Sequence, residues 1–223
     1  MTRPDPTVAR SPAALPARRS SKPIVGIAGG IGSGKSQVAR LLEEFGAYVI
    51  DADAMAHDEL NVPEVRDRLV SWWGPSVVGA DGKVIRKRVG EIVFNDPAQR
   101  NRLESLIHPR IGIRRDAIIE SLSKQPRVRM IVLDAPLLYE VGLDRMCDSV
   151  IFVDADPAIR AERSEKARHW PPGELARREK SQMSLDTKRA RADHICINNS
   201  DLASLRQAVH GIVQHLLQPD GSR

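Results

Sequence analysis

Gly29-Gly30-Ile31-Gly32-Ser33-Gly34-Lys35-Ser36 fills every fixed position of the phosphate-loop pattern G-x-x-x-x-G-K-[ST]. It follows an apolar run, Ile24-Val25-Gly26-Ile27-Ala28, that reads as a buried strand. Glycines here let the backbone take positive φ and turn its N–H groups inward, making a nest of donors for a β-phosphate where a Cβ would clash. Lys35 is placed to bridge β- and γ-phosphate oxygens, and the Ser36 hydroxyl to ligate Mg²⁺. Gln37 to Glu44 continue as a helix whose N-terminal dipole favours the bound anion. The expected triphosphate contacts are therefore Gly29, Gly30, Gly32, Ser33, Gly34, Lys35, Ser36 and the adjoining Gln37.

Working outward, Ala47-Tyr48-Val49-Ile50 reads as a second strand and runs straight into Asp51-Ala52-Asp53. Helical patterns follow near 54 to 60, 63 to 73, 86 to 94, 97 to 107 and 110 to 123, with a turn at Asp81-Gly82. Strand-like sequence resumes at Val128 to Leu133, Ser149 to Val153 and His194 to Ile197, separated by helical sequence. Five short apolar strands with helical crossovers predict an α/β chain: a five-stranded parallel sheet in a three-layer phosphate-loop NTPase fold, with a helical insertion and a lid. Ligands of such sheets gather beyond the strands' carboxyl ends, where the phosphate loop, Asp51, Asp53, Asp134 and Asp154 all fall. The expected division is one domain over 23–218, with a core of 23–53 and 126–217, an insertion of about 54–125 and a lid of about 160–191.

A length of 223 residues suits one domain with a well-buried core. Residues 1–22 offer almost no apolar side chains to bury and read as a disordered tail; their prolines break any amphipathic transit-peptide pattern. That tail carries +4 of the chain's formal +5, so the rest is close to neutral and gives no reason to expect a nucleic-acid partner. No apolar run reaches the roughly 18 residues of a spanning helix, so no membrane association is expected and the chain reads as cytoplasmic. Cys147 and Cys196 lie in apolar contexts without C-x-x-C spacing, as reduced core thiols do.

Transfer of a γ-phosphoryl group requires an acceptor hydroxyl held in line, its proton accepted, and charge offset by Mg²⁺ and basic side chains. Asp51 and Asp53 alternate on what reads as extended chain, so both face the cleft, one to accept the proton and the other to hold Mg²⁺-bound water. The competing reading is a helix N-cap just before Ala54. Asp134 ends the third strand, where it serves either a Mg²⁺-associated site or the cap of the next turn.

The chain resembles the dephospho-CoA kinases. The phosphate loop, then Val49-Ile50-Asp51-Ala52-Asp53, Ile107-His108-Pro109, Leu133 to Glu140, Gln182-Met183 and Asn198-Asn199 occur in that family's order over about residues 23 to 216. The resemblance implies that ATP phosphorylates the ribose 3′-hydroxyl of dephospho-CoA, the small-molecule partner, giving CoA and ADP. It also implies a parallel-sheet core, a helical CoA-side domain and a mobile lid. By position, Asp53 is then the general base and Asp51 its neighbour; Arg86, His108 and Asp134 stand on the acceptor side. This chain departs from the family pattern at Gln37 (usually Thr), His57 (usually Arg), Val84-Ile85-Arg86 (usually L-D-R) and Ala167 (usually Arg, here with Arg168 adjacent).

Residues 160–191 hold ten Lys or Arg against five acids, the balance of a segment that closes over ATP; Arg163 is the expected phosphoryl contact, with Arg168 and Arg178 behind it. Trp170-Pro171-Pro172-Gly173 breaks that segment at a hinge or tip. Trp72-Trp73 reads as packing. Asn198 and Asn199 follow the last strand, where loop amides approach the ATP base. Asn198-Asn199-Ser200-Asp201 partly matches the N-K-x-D guanine motif, but no Asp here has Gly three residues later, so the D-x-x-G of a GTP switch is absent. A kinase of another nucleoside or nucleotide remains as the alternative. Nothing in the sequence separates a monomer from a weak homo-oligomer.

Overall fold

A computed structural model describes residues 20–168, 173–180 and 182–218. Its five strands are β1 (Ile24–Gly29), β2 (Ala47–Asp51), β3 (Met130–Asp134), β4 (Ser149–Asp154) and β5 (His194–Ile197), all parallel, in the order β2-β3-β1-β4-β5. Every residue of β1 is buried, which is why its sequence is continuously apolar instead of alternating. Alternate side chains serve two different layers. Val25 and Ile27 join Val132, Ile151, Val153 and Cys196 against α1 (Lys35–Glu44) and, at the far end of the chain, Leu202–Leu216. Ile24 and Ala28 join Ile131, Leu133 and Phe152 against Ile119 and Leu122 on the opposite face.

Between β2 and β3 lie α2 (Ala52–Leu60), α3 (Pro63–Trp73), α4 (Arg86–Asn95) and α5 (Pro97–Ser123). They enclose a core of their own, with Val65, Leu69, Val77, Val89, Leu103 and Ile107 at its centre. Trp72 and Trp73 pack on it; Trp73 donates to Gln99 Oε1 at 2.8 Å and the Arg102 guanidinium lies 4.0 Å over Trp72. The separate helices at 97 to 107 and 110 to 123 expected from sequence are one 27-residue helix that runs through Pro109. Losing one backbone hydrogen bond there costs about 3 kcal/mol. Burial at both ends offsets it, Leu103 and Ile107 in the insertion core and Ile119 and Leu122 beneath the sheet. Arg110, just past the proline, also pairs with Glu59.

After β4 come α6 (Pro157–Arg168), α7 (Glu174–Glu179) and α8 (Leu185–Ala190), and after β5 the closing helix α9 (Leu202–Leu216). The expected break at Trp170-Pro171-Pro172 lies outside the described residues; Gly173, at φ 84, is the N-cap of α7. The expected tail ends earlier than residue 22: residues 1–19 lie outside the described residues, but Ser20 is buried, Ser21 donates to Ser123 O, and Lys22 donates to Gln125 O and Val128 O. Ser123 is the last residue of α5, and Gln125 and Val128 lie in the connection to β3, so Lys22 places its cation just past the helix C-terminus. Among the described residues, no helix is long and apolar enough to cross a membrane.

One buried charge fixes how α8 meets the sheet. Lys188 is 1% exposed, with Nζ 2.8 Å from Glu140 Oε1, which also accepts from Met183 N at 2.9 Å. Burial opposes ionisation of Glu140, but the Lys188 ammonium and the backbone amides outweigh it and hold the carboxyl below its usual range. Lys188→Ala should destabilise the fold by about 3 kcal/mol in urea denaturation, and the double change Lys188→Met with Glu140→Gln by clearly less. A double variant as unstable as Lys188→Ala would show that the charge pair is not what holds α8.

Candidate nucleotide and phosphoryl-transfer site

A cleft of about 1140 Å³ opens over the carboxyl ends of β1, β2 and β3. Its floor is the turn from β1 into α1, where Ile31, Gly32, Gly34, Lys35 and Ser36 line it. Gly32 and Gly34 have φ of 77° and 94°, the left-handed region that only glycine enters cheaply. Space forbids a side chain as well: a Cβ on Gly32 would lie 2.5 Å from the Arg160 carbonyl oxygen, and one on Gly34 2.1 Å from Asn198 Nδ2. Lys35 Nζ donates to Gly29 O at 3.0 Å and Gly30 O at 2.9 Å, which holds its ammonium within the loop. Gly29, Gly30 and the wholly buried Ser33 form the back of this cradle and do not line the cleft.

The second wall is acidic. Parallel register sets Asp51 beside Asp134, and Asp134 beside Ile27 of β1, so strand ends bring Asp51 and Asp134 together and α2 adds Asp53. Burial pushes the Asp134 carboxyl above its usual range; Lys35 acts against this, while Asp51 and Asp53 add to it. Asp51 and Asp53 do not alternate on extended chain as expected. Helix α2 begins at Ala52, so Asp51 is its N-cap, accepting from Ala54 N at 2.9 Å, and Asp53 lies in its first turn. A short cap side chain satisfies the orphan N–H groups better than a further strand residue, which is why the strand stops here. Both carboxylates line the cleft nevertheless. Ser36 lines the same cleft as these three carboxylates; among the described residues no group of three or more acidic, His or Cys side chains is gathered closely enough to hold a metal ion by itself.

The third wall is basic. Arg163 and Ser164 of α6, Arg177 and Arg178 of α7, and Gln182 line it. Arg163 donates to Asn198 O at 3.1 Å, and the Ser164 hydroxyl is buried without a hydrogen-bond partner among the described residues. The fourth wall is one face of α4: Lys87, Gly90, Glu91, Phe94 and Asn95. Phe94 is 62% exposed and lies 5.4 Å from the Arg177 guanidinium. Sequence reasoning missed this face, although its three-and-four spacing from a basic residue to an aromatic one was legible.

Several sequence candidates lie elsewhere. Gln37 is exposed on α1 and Arg86 on the first turn of α4, neither lining the cleft, and His108 sits on an exposed face of α5. Asn198 is 2% exposed and donates to Ser33 O at 2.8 Å, so its amide braces the phosphate loop. Asn199 exchanges hydrogen bonds with Asp156. Asp154 pairs with Arg189. Burial pushes the Cys147 thiol up to about 12 and that of Cys196 to about 11, so neither is a nucleophile at neutral pH.

Cations facing carboxylates across a phosphate loop suit the movement of a phosphoryl group, and on this strand order they make the chain a phosphate-loop kinase. Comparison with known proteins narrows that class. The dephospho-CoA kinase family profile (CoaE) matches residues 23–204. A dephospho-CoA kinase of Symbiobacterium thermophilum is 41% identical over 188 residues, covering 83% of this chain and 78% of the relative; one of Thermobifida fusca is 40% identical over 178 residues, covering 79% and 86%. A Thermus thermophilus crystal structure superposes with a TM-score of 0.73 at 31% identity, covering 87% of this chain and 98% of that one. The Campylobacter jejuni dephospho-CoA kinase shares the fold, with a TM-score of 0.61 at 24% identity, covering 87% and 97%. The chain belongs to the dephospho-CoA kinase family.

Asp134 gives the site a pH signature. Its folded pKa is raised, so its charge opposes folding above that pKa and the penalty is relieved as pH falls through it. Asp134→Asn should melt at a higher temperature than the parent protein at pH 7, with the gap closing as pH is lowered into the ordinary carboxylate range, and should be less active. A gap that is absent at pH 7, or that widens on acidification, would contradict this.

Proposed function

We propose that this enzyme transfers the γ-phosphoryl group of ATP to the ribose 3′-hydroxyl of dephospho-CoA, giving coenzyme A and ADP in the last step of coenzyme A biosynthesis. The observation that carries the reading is the shared cleft: Lys35 on the loop, Asp53 on the wall opposite and Arg163 above them, in a chain of this family. Asp53 accepts the proton of the 3′-hydroxyl; it stands in the first turn of α2 and lines the cleft shared with the loop. Lys35 leaves the Gly29 and Gly30 carbonyls to bind β- and γ-phosphate oxygens. Arg163, with Arg177 and Arg178, neutralises charge on the transferring group. The Ser36 hydroxyl, and through water Asp51 or Asp134, would hold Mg²⁺, which would supply further neutralisation at the phosphates.

In this division of labour residues 23–53 and 126–217 bind the nucleotide, about 54–125 face the acceptor and about 160–191 close over it. The α4 wall fits the acceptor side, with Lys87 available to a pyrophosphate and Phe94 to a base or an apolar arm. A small-molecule acceptor in the cytoplasm accounts for every wall of the cleft without a nucleic acid or membrane. Oligomerisation is not needed to complete it.

The test is a coupled assay of ADP release with Mg²⁺-ATP, comparing dephospho-CoA with adenosine and nucleoside monophosphates. Turnover is expected with dephospho-CoA alone; turnover of another acceptor instead would replace the substrate and keep the fold. In the same assay Asp53→Asn should lower kcat by about 10²–10⁴-fold while leaving ATP binding, read by calorimetry, within about threefold. Surviving transfer would remove Asp53 from the role of base.

A further inference from the structure

Helix α6 crosses the back of the phosphate loop, and one of its side chains joins two parts of the site that are far apart in sequence. Arg160 is 7% exposed. Its main chain presses on Gly32, and its guanidinium reaches the loop at Gly30: Nη1 lies 2.7 Å from where a Gly30 Cβ would stand and donates weakly to Ile31 O at 3.5 Å. The same Nη1 is ion-paired with Glu179 at the C-terminal end of α7. That six-residue helix carries Arg177 and Arg178 into the cleft.

A helix this short has little stability of its own, and its place must come from tertiary contacts. The Arg160 to Glu179 pair is such a contact, and its two charges are 9% and 25% exposed, so water weakens it less than a surface bridge. A buried guanidinium left without its carboxylate is costly, which gives the pair a strong preference for one geometry. The one Nη1 of Arg160 meets both the Ile31 carbonyl and the Glu179 carboxylate, so the guanidinium charge sits directly between loop and helix.

We infer that Arg160 and Glu179 form a strut that sets the distance between the phosphate loop and the arginines of α7, making Arg160 a positioning residue for phosphoryl transfer. It acts through Arg177 and Arg178, and touches neither substrate. The inference rests on the proposed reaction only where turnover is the readout. Removing the strut lowers kcat, because the cations no longer meet the transferring group, and leaves acceptor affinity unchanged, because the α4 wall is intact.

The test uses the full chain as Arg160→Gln, Glu179→Gln, the double variant and Arg160→Lys. With ATP and dephospho-CoA, each single change to Gln should lower kcat about tenfold or more with KM for dephospho-CoA within about twofold, and the double variant should be no worse than the poorer single one. Arg160→Lys, which keeps the charge, should recover part of the loss. Losses that multiply in the double variant, or a kcat within about twofold of the parent in both single variants, would overturn the strut. Hydrogen exchange by mass spectrometry with Mg²⁺ and a non-hydrolysable ATP analogue needs no acceptor: residues 173–180 should exchange about fivefold faster in both single variants while β1 and β4 stay as protected as in the parent. Unchanged exchange in 173–180, or loss of protection across β1 and β4 as well, would equally overturn it. Should the parent fail to phosphorylate dephospho-CoA, the reaction proposal falls and the exchange result still decides the strut.

Discussion

The phosphate loop is clamped between two elements from the distant half of the chain, and the cleft depends on that fit. Helix α6 lies on Gly32 through the Arg160 carbonyl, and Asn198, just past β5, reaches under Gly34 to the Ser33 carbonyl. No room is left for a Cβ at either glycine, and both need positive φ. The loop's shape is therefore not a property of a flexible glycine run. It is imposed from outside by elements that the pairing of β1 with β4, and of β4 with β5, brings beside it. The same elements carry Arg163 and Asn198, whose mutual hydrogen bond ties the basic wall to the clamp.

Charge is arranged around this clamp in opposition. Asp51 and Asp134 end β2 and β3 and Asp53 opens α2 beside them; burial, with the two neighbouring carboxylates adding to it, raises the proton affinity of Asp134. Facing them are the arginines of α6 and α7, on segments with little apolar surface to hold them. Ion pairs tie this part of the chain together: Arg160 with Glu179 between α6 and α7, and Lys188 of α8 with Glu140, both with a cation that is almost wholly buried. The basic wall can thus be held in place without an apolar face of its own turned to the cleft.

Much of this was legible in the chain itself. The five strands announced themselves as apolar runs because a parallel sheet is buried on both faces, and the phosphate loop because its chemistry leaves few residue choices. What failed to read correctly failed for identifiable reasons. Pro109 marked a break by its local preference, yet burial at both ends of α5 overrode it. Asp51 and Asp53 were placed on one side by strand alternation, when the helix had already begun and Asp51 was its cap. His108 carried a sequence signal but lies on an exposed helix face, while Lys87 and Phe94 carried only a periodicity and line the cleft.

The sequence by itself determined the fold class, the nucleotide-binding loop and the family, because each rests on local patterns: apolar runs, glycines at fixed spacing, and short motifs in order. Tertiary structure alone decided which residues share the cleft. Asn198 was moved from a base-contacting loop to a brace beneath Ser33, and Arg160 from one charge among many to a buried link between the phosphate loop and α7. The physical reason is that burial and pairing depend on neighbours more than a hundred residues away, such as the 129 positions between Ile31 and Arg160, and no local pattern records which distant surface will cover a given side chain.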